Sequence, residues 1–364
     1  MRIIHVVETL NVGGLERVVI DLVKEQASRK HQCLIICLFE EGKLAVEIKK
    51  KGISLDVCSK QSGFDFSAVK KLADNIKSFN PDVIHSHNIV CNYYAAFAKI
   101  MAFSKASLIN TRHGIGRGQA EVKEHILFGI SVFSTRWIVG VCNVTRDKLQ
   151  KEYPYFRRKI LTIYNGIVLE RFKKRTVSDK QRVMRQLGIQ GNAVLLSIVA
   201  RLNDVKNHKL LLQAFAQTQN TNCYLIIIGD GELMENLRHY ADELNIQKKV
   251  FFLGDRKDVS ELLPGMDLFI LCSKQEGYSI SLLEACASGL TVIATDVGGN
   301  GEIVTNANGI LIPSEDVSAL SQSISLLISD DKKRQLMGEN SLKWIAEKGS
   351  IEVMANNYEA LYVA

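Results

Sequence analysis

The 364-residue chain contains little that would point to a linker, a tail or a membrane span. Only four prolines occur, and there is no low-complexity tract, so long linkers and disordered tails are not expected. No apolar run approaches the ~18 residues of a spanning helix. The amino terminus lacks the long apolar core and the cleavage site of a signal peptide. We therefore expect a compact cytoplasmic protein.

Sequence signatures of metal sites and disulfides are also missing. No Asp-x-Asp occurs, and no histidines or cysteines have ligand spacing along the chain, so no metal site is predicted. The cysteines form no Cys-x-x-Cys pair and lie mostly in or beside apolar runs. Buried free thiols in a reducing compartment are the expectation. The eight cysteines are Cys33, Cys37, Cys58, Cys91, Cys142, Cys223, Cys272 and Cys286.

The chain is longer than one hydrophobic core usually supports, so two domains are expected. Short apolar runs alternate with helix-period segments, which predicts βαβ units and parallel sheets. The charged stretch 171–179 interrupts this pattern and is the predicted hinge. Helical periodicity follows from residue 316 to the end. The predicted strands are 3–7, 34–38, 54–57, 83–85, 107–110, 136–139, 160–163, 194–199, 223–228, 250–253, 268–271, 291–294 and 309–312.

The positive charge is concentrated in the first half of the chain. Residues 1–170 contain 25 Lys or Arg against 16 Asp or Glu, whereas residues 171–364 contain 21 against 23. A basic half indicates an anionic partner, either a membrane surface or a polyanion, although most of these lysines are expected to be solvated surface residues. No nucleic-acid-binding motif is present, so nucleic acid is not predicted as a partner.

The segment 273–296 has the pattern strand end, polar loop, helix and strand, with two carboxylates, Glu276 and Glu284, near the helix start. At the carboxyl edge of a parallel sheet, free helix N–H groups suit phosphates, and carboxylates suit vicinal hydroxyls. A second interpretation is local, because Ser281 and Glu284 fit a capping box in which the carboxylate returns to the backbone. The pattern alone leaves both open.

The same segment, Ser-x-x-Glu-Gly…Glu-Ala-x-Ala-x-Gly, resembles the nucleotide-sugar site of GT-B fold retaining glycosyltransferases of family 4. The resemblance implies two Rossmann-like doubly wound α/β domains facing each other across a cleft. Residues 1–168 would bind the acceptor and residues 169–350 the donor, with a last helix at about 351–364 packing back on the first domain. It also implies that Glu276 lies near the donor sugar and that Glu284 holds the ribose.

Candidates in the first half lie in strand-to-helix loops. Gly13 and Gly14 allow close backbone approach at a helix start, and the matching family loop lies near the donor diphosphate and the acceptor. The Thr-Arg-His-Gly segment resembles the family's histidine motif, which makes His113 the candidate beside the donor sugar. His87 is an acceptor-side candidate, and His85 is expected to be structural. Glycines 114, 116 and 118 predict a loop that closes on substrate.

Candidates in the second half form a chain of loops at one sheet edge. Arg201 and Lys206 follow a strand and resemble the family's cation pair that neutralises the leaving diphosphate, although two solvated cations would give the same pattern. Gly229 lies in a further loop there, and Arg256 is a nucleobase candidate by position. The donor-binding candidates are completed by Gly298 and Gly299, predicted to begin a helix, although Asn300 and Gly301 depart from the usual residues.

The basic residues also suggest a membrane interaction. Lysines 49–51 end a predicted helix, where they complement the helix dipole, and residues 157–159 add a second cluster. In membrane-acting members of the family the corresponding helix docks on lipid. We therefore expect weak, salt-sensitive attachment to an anionic surface at the inner face of the plasma membrane.

The resemblance implies a metal-independent retaining glycosyltransferase with no cofactor. The donor would be a nucleoside diphosphate sugar, with a UDP-sugar favoured and a GDP-sugar as the other choice. The acceptor would be a saccharide or a lipid-linked saccharide in surface polysaccharide, lipopolysaccharide or lipid-linked oligosaccharide assembly. The alternatives are a GT-B epimerase acting on the nucleotide sugar, a non-catalytic scaffold that binds it, and a polyanion-binding module.

Overall fold

The computed structural model describes residues 1–11, 13–114, 122–218 and 222–364. The chain divides into two compact units: the first is Met1–Gly166 with Ile351–Ala364, and the second is Ile167–Ser350. Residues 171–179, predicted as a hinge, lie inside the second unit. They are fixed there because Arg175 binds the carboxylate of the buried Asp267, to which Lys180 also binds.

The first unit is built on a seven-stranded parallel sheet. Its apolar runs are continuous rather than alternating, because helices cover both faces of a parallel sheet. Ile3, Ile4, Val6 and Val7 are accordingly buried. The strands are β1 (Arg2–Val7), β2 (Gln32–Cys37), β3 (Ser54–Val57), β4 (Val83–His87), β5 (Ser107–Arg112), β6 (Trp137–Gly140) and β7 (Ile160–Thr162). Their order is β3-β2-β1-β4-β5-β6-β7.

The helices of the first unit connect these strands, and the last helix of the chain also belongs to this unit. That helix packs on the first one, where Arg29 binds Glu359 at 3.1 Å. Asp65 caps a helix start by accepting hydrogen bonds from the N–H groups of Ser67 and Ala68. The helices are α1 (Gly14–Ser28), α2 (Ala45–Lys50), α3 (Phe66–Phe79), α4 (Asn88–Met101), α5 (Val122–Ser131), α6 (Asn143–Glu152) and, at the end of the chain, α15 (Ile351–Val363).

The second unit repeats the architecture with a six-stranded parallel sheet. Its strands are β8 (Val194–Val199), β9 (Cys223–Ile228), β10 (Val250–Phe252), β11 (Leu268–Leu271), β12 (Thr291–Thr295) and β13 (Gly309–Ile312), in the order β10-β9-β8-β11-β12-β13. Its helices are α7 (Val177–Gln186), α8 (His208–Ala216), α9 (Met234–Glu243), α10 (Val259–Leu262), α11 (Ile280–Ala287), α12 (Asn300–Ile303), α13 (Val317–Ser329) and α14 (Asp331–Lys348).

Each of the thirteen predicted strands is present, and the predicted α/β class with parallel sheets is confirmed. The main differences are at strand ends: β4 continues to His87 and β5 to Arg112, two residues further than predicted. The cysteines are all buried, and none of the eight is in a disulfide. None of the helices in the described part of the chain combines the length and apolarity needed to cross a membrane.

Candidate functional site

In each unit the strand order reverses once, and ligands of open α/β sheets bind at such switch points. The reversal lies between β1 and β4 in the first unit and between β8 and β11 in the second. Lys206 follows β8 and Glu276 follows β11, so both lie beyond the carboxyl ends of adjacent strands. The fold therefore brings together two predicted site residues that are 70 positions apart in the sequence.

Lys206 and Glu276 form a partly buried ion pair. Lys206 Nζ lies 2.6 Å from Glu276 Oε1, and the exposed fractions of the two side chains are 24% and 9%. The hydroxyl of Ser273 donates to the same carboxylate oxygen at 2.6 Å, and the Ser273 carbonyl accepts from the Thr295 hydroxyl. The carboxylate is thus held in one orientation, and it holds the ammonium group of Lys206 at the edge of the sheet.

The loop that carries Lys206 is itself fixed. It is a 3-10 turn, Asp204–Lys206, in which the side chain of Asn203 accepts from the Lys206 N–H. The thiol of Cys272 donates to the carbonyls of Lys206 and Asn207. The next helix therefore begins at His208, slightly later than the predicted start near Lys206.

Arg201 lies apart from this ion pair. Its guanidinium is 3.6 Å from Glu232 Oε2, and both side chains are largely exposed, at 72% and 58%. The two predicted diphosphate ligands are therefore held by different carboxylates, Lys206 firmly and Arg201 loosely. A guanidinium this exposed can turn toward an anionic ligand at little cost.

The capping-box interpretation of Glu284 is wrong. The N-cap of α11 is Ser279, whose hydroxyl accepts from the Leu282 N–H at 3.4 Å, so Ser281 is already the second residue of the helix. Glu284 lies one turn into α11 and is half-buried. It cannot return to the N-cap from there, because that role needs a side chain at the third helical position.

Gly229 is required by the fold itself. Its φ of +139° is a conformation that residues other than glycine rarely adopt, and a Cβ there would lie 2.0 Å from the carbonyl oxygen of Ala200. Its N–H donates to the carbonyl of Gly254 at 2.9 Å, which ties two loops of the sheet edge together. The loop does not open a helix directly, since α9 begins only at Met234.

Gly298 and Gly299 precede a helix of only four residues, α12, of which Gly299 is the N-cap. The N–H of Gly299 donates to the carbonyl of Gly277 at 2.7 Å, so this group already has a partner within the loop that carries Glu276. Asn300, which departs from the usual residue, is buried, and its side-chain nitrogen donates to the Thr295 carbonyl at 3.0 Å.

Arg256 forms a two-point interaction with Asp258, with Nε and a terminal nitrogen 2.7 and 2.6 Å from the two carboxylate oxygens. The pair is exposed, and each partner shifts the other: the pKa of Asp258 is lowered and that of Arg256 is raised. The predicted nucleobase residue is therefore at the surface of the second unit, paired within its own loop.

In the first unit, Gly13 is the extended N-cap of α1 and Gly14 is its first residue. A Cβ on Gly13 would lie 2.3 Å from a carboxylate oxygen of Glu16. Burial raises the pKa of Glu16 and, with the nearby Glu124 and Glu16, that of Glu8. Sequence reasoning did not single out these acidic residues, because isolated glutamates in a loop and a first turn resemble ordinary helix-start charges.

His87, at the end of β4, and His113, just after the adjacent strand β5, lie together. His87 Nδ1 is 3.0 Å from His113 Nε2, and the His113 backbone N–H donates to the side chain of Asn88. His87, which follows the predicted strand 83–85, is in fact the last residue of β4. His113 follows β5, which is the predicted position.

These residues belong to a larger buried group, the histidine network, that the sequence did not reveal. On β1, His5 Nδ1 lies 3.2 Å from His87 Nε2, and His5 Nε2 lies 2.8 Å from the side-chain oxygen Oε1 of Gln26. The Gln26 amide nitrogen donates to the Tyr362 hydroxyl at 3.0 Å. The network consists of His5, Gln26, His85, His87, Thr111, His113, Tyr358 and Tyr362.

Three of its members, His5, His85 and His87, have ring nitrogens within 4.8 Å of one another, which is a spacing suited to metal ligands. This cluster was not visible in the sequence, because the residues lie on two strands 80 positions apart. All six ring nitrogens take part in hydrogen bonds with other groups of the protein. The arrangement is that of a hydrogen-bond network.

Burial keeps these histidines neutral. It lowers the pKa of His5 to about 4, partly offset by the hydrogen bond to Gln26, and that of His113 to about 3, with a further decrease from the Arg112 charge. The pKa values of His85 and His87 are also well below the usual value. Residues 116 and 118 of the predicted closing loop lie outside the described residues.

Two family models match the chain. The model described as "Glycosyltransferase Family 4" matches residues 12–171, and that described as "Glycosyl transferases group 1" matches residues 179–344. Together they cover most of both units.

Individual relatives are similar over most of the chain. The N-acetyl-alpha-D-glucosaminyl L-malate synthase of Bacillus anthracis is 26% identical, covering 97% of this chain and 94% of the relative. The UDP-Gal:alpha-D-GlcNAc-diphosphoundecaprenol alpha-1,3-galactosyltransferase of Escherichia coli is also 26% identical, over 82% and 79%. Among solved structures, HepE of Anabaena in complex with UDP has a TM-score of 0.90 at 21% identity, covering 100% of both chains. This likeness confirms the predicted GT-B fold.

Proposed function

Because the chain belongs to the group 1 glycosyltransferases of family 4, we propose that it is a retaining enzyme moving a sugar from a nucleoside diphosphate sugar to an acceptor hydroxyl. The observation that carries the proposal is the Lys206–Glu276 pair at the switch point of the second unit. A fixed ammonium group there suits a diphosphate, and the carboxylate beside it suits sugar hydroxyls.

The proposed roles follow from charge and position. Arg201 and Lys206 stabilise the negative charge that develops on the departing diphosphate, and this charge stabilisation with positioning performs most of the catalysis. Glu284 accepts from the ribose hydroxyls. With cations of its own for the diphosphate, the protein needs no divalent ion and no cofactor in this proposal.

We assign a UDP-sugar as the donor ahead of a GDP-sugar. The support is that one relative is named for UDP-Gal and that HepE was crystallised with UDP. The proposed acceptor is a saccharide or lipid-linked saccharide in polysaccharide, lipopolysaccharide or lipid-linked oligosaccharide assembly, which agrees with the diphosphoundecaprenol acceptor in the name of the E. coli relative.

The donor assignment is tested by thermal shift and calorimetry with UDP, GDP, ADP and TDP and their sugars, with EDTA or Mg²⁺. A ligand at a hundredfold excess over its Kd stabilises the folded state by about 2.7 kcal/mol. We expect selective, EDTA-resistant stabilisation by UDP that is lost in Glu284→Ala. The stabilisation should be retained in Lys274→Ala, which removes an exposed lysine paired with Asp204. Stabilisation by GDP alone would change the assigned donor to a GDP-sugar. If no nucleotide stabilised the protein, the non-catalytic scaffold would become the preferred alternative. Turnover of the donor without acceptor would identify an epimerase.

We also propose a peripheral membrane contact through the first unit. Tyr155 and Phe133 are 97% and 76% exposed, and the Phe133 ring packs edge-on against Phe156 at 5.0 Å. Arg157 and Arg158 adjoin this aromatic group and are exposed. Exposed aromatic side chains beside cations favour the interface of an anionic bilayer.

The lysines at the end of α2 contribute less than predicted. Lys49 is bound to Glu41 at 2.6 Å, and Glu47 is bound to Arg17 and Lys24, which lower its pKa to about 2. In flotation with anionic liposomes, we expect binding at low salt that is reduced more by Arg157→Ala/Arg158→Ala than by Lys50→Ala/Lys51→Ala. Absence of binding at low salt would end the proposal and the assignment to the inner membrane face.

A further inference from the structure

We propose that part of the histidine network, from Tyr362 through Gln26, His5 and His87, holds His113 in the tautomer with a proton on Nε2 and a lone pair on Nδ1. The ring then offers an acceptor to a hydroxyl group of a bound sugar. Tyr362, Gln26, His5 and His87 are positioning residues in this proposal. That the hydroxyl belongs to the donor sugar rests on the proposed function, whereas the tautomer itself does not.

The direction of the network begins at Gln26. Its amide nitrogen faces the Tyr362 hydroxyl at 3.0 Å and its carbonyl oxygen faces His5 Nε2 at 2.8 Å. A carbonyl oxygen only accepts, so His5 Nε2 must carry the proton. A neutral imidazole has one N–H and one lone pair, and therefore His5 Nδ1 is an acceptor.

The same rule passes along the next two rings. His87 Nε2 lies 3.2 Å from His5 Nδ1 and must donate to it, which leaves His87 Nδ1 as an acceptor. His113 Nε2, at 3.0 Å, must then donate to His87 Nδ1. The lone pair of His113 is therefore on Nδ1, which is buried and has no hydrogen-bond partner among the described residues.

The argument requires neutral rings, and burial provides this condition. The pKa values of all four histidines are lowered mainly by loss of hydration. The chain of bonds would be self-consistent in the opposite direction only if the Gln26 amide were reversed. Its orientation therefore determines which nitrogen of His113 carries the proton.

The Tyr362 hydroxyl is the hydrogen-bond partner of the Gln26 amide nitrogen. Because it accepts from Gln26, it donates its single proton to His85 Nδ1 at 2.8 Å, and His85 Nε2 in turn donates to Thr111. The Tyr358 hydroxyl, one turn earlier on α15, contacts Thr111 at 2.8 Å and is the far end of this branch. Tyr358 and Tyr362 are both buried. Replacing either one by phenylalanine therefore removes one buried hydroxyl group, which makes the two variants a matched pair.

The test uses nitrogen NMR of the full chain labelled with ¹⁵N-histidine, with His113→Asn to assign the His113 signals. In the wild type we expect His113 protonated at Nε2, with a lone-pair shift at Nδ1. Tyr358→Phe should keep this pattern. Tyr362→Phe should give a mixture of tautomers, because the amide can then reverse. A proton on His113 Nδ1 in the wild type would by itself overturn the proposal. It would also be overturned if the Tyr362→Phe variant folded and its His113 nitrogen shifts were the same as those of the wild type.

A kinetic measurement adds the consequence. Tyr362→Phe should lower kcat/KM for sugar transfer about tenfold relative to Tyr358→Phe, as expected for one hydrogen bond, with the affinity for UDP alone unchanged. Equal kcat/KM values for the two variants would contradict the contact between His113 and a sugar hydroxyl. If neither the wild type nor the two variants bound UDP, the proposed function would be contradicted, and the NMR result would still decide the tautomer.

Discussion

At the switch point of the first unit the polar side chains are neutral and buried, whereas at that of the second they are charged and paired. His5, His85 and His87 form hydrogen bonds without a net charge. Lys206 and Glu276 form an ion pair at the edge of solvent. The two units share a strand order, so the fold does not dictate this chemistry.

The difference indicates which kind of interaction the sheet edge of each unit can form with a ligand. Neutral imidazoles can be buried at moderate cost when every nitrogen is bonded, and they then present one defined lone pair or proton. The Lys206–Glu276 pair, in contrast, is charged and lies at the edge of the sheet, where the phosphates and hydroxyls of a ligand can become additional partners. The first unit is thus organised for a precise hydrogen bond and the second for charge.

The largest effect is expected where the second unit uses charge inside its core. The Asp267 side chain is 2% exposed, binds Arg175 and Lys180, and accepts from the Leu195 N–H at 2.8 Å. Asp267→Asn leaves two cations without their buried partner, and the free energy of unfolding should fall by about 3–5 kcal/mol. Asp258→Asn, which breaks an exposed pair, is the control, with a change below about 1 kcal/mol. Equal shifts in urea unfolding would contradict the importance of buried charge in this unit.

The next effect concerns activity rather than stability. Lys206→Ala should lower the transfer rate by about 10²–10³, because a fixed charge at the leaving group is lost. Lys274→Ala removes a lysine that binds Asp204 at 2.9 Å, and it should leave the rate within a few-fold. Steady-state assays with a UDP-sugar measure both. A rate that falls equally in the two variants would mean that general surface charge, not the switch-point pair, matters.

A smaller effect should mark the first unit by its response to acid. The folded pKa of His5 is about 4 and its unfolded value about 6.5. Between these values the unfolded chain binds a proton that the folded chain does not. The free energy of unfolding is therefore highest, as far as this histidine is concerned, above about pH 6.5. It decreases by about 3 kcal/mol as the pH falls toward 4.

His5→Gln provides the check on that slope. The variant removes one proton-binding group, so the dependence of unfolding free energy on pH between 6.5 and 4 should become less steep by up to one proton. His208→Gln is the matched change in the second unit, where burial also lowers the pKa to about 4. An unchanged slope in His5→Gln would show that the histidine network takes up its protons while folded.

The sheets could be predicted because continuous apolar runs between helix-period segments leave few alternatives. β8, β9, β11 and β13 match their predicted bounds. β4 and β5 were predicted too short, because the polar pairs Ser86–His87 and Thr111–Arg112 end the apolar runs although their backbones continue in the sheet.

The site could be predicted only in part. Local motifs made Lys206 and Glu276 candidates, but their contact depends on the adjacency of β8 and β11. The pairing of His5 with His85 was available in principle, since the Rossmann order places β1 beside β4 and alternation puts His85 and His87 on one face. Gln26 and Tyr362 could not be found this way, because they are 336 positions apart and lie on helices.

The smallest effect is expected at Arg256, whose charge is paired with Asp258 at the surface of the second unit. Its contact with Asp258 is exposed, so Arg256→Ala should change the free energy of unfolding by less than about 1 kcal/mol. As the predicted nucleobase residue, Arg256 would contribute about one hydrogen bond, and the affinity for UDP should therefore fall by less than about tenfold in this variant. Calorimetry of Arg256→Ala against Glu284→Ala, which should lose more, separates the two contributions. A loss above about a hundredfold would make Arg256 a direct, charge-assisted ligand of UDP and add it to Lys206 and Arg201 among the cations that bind the donor.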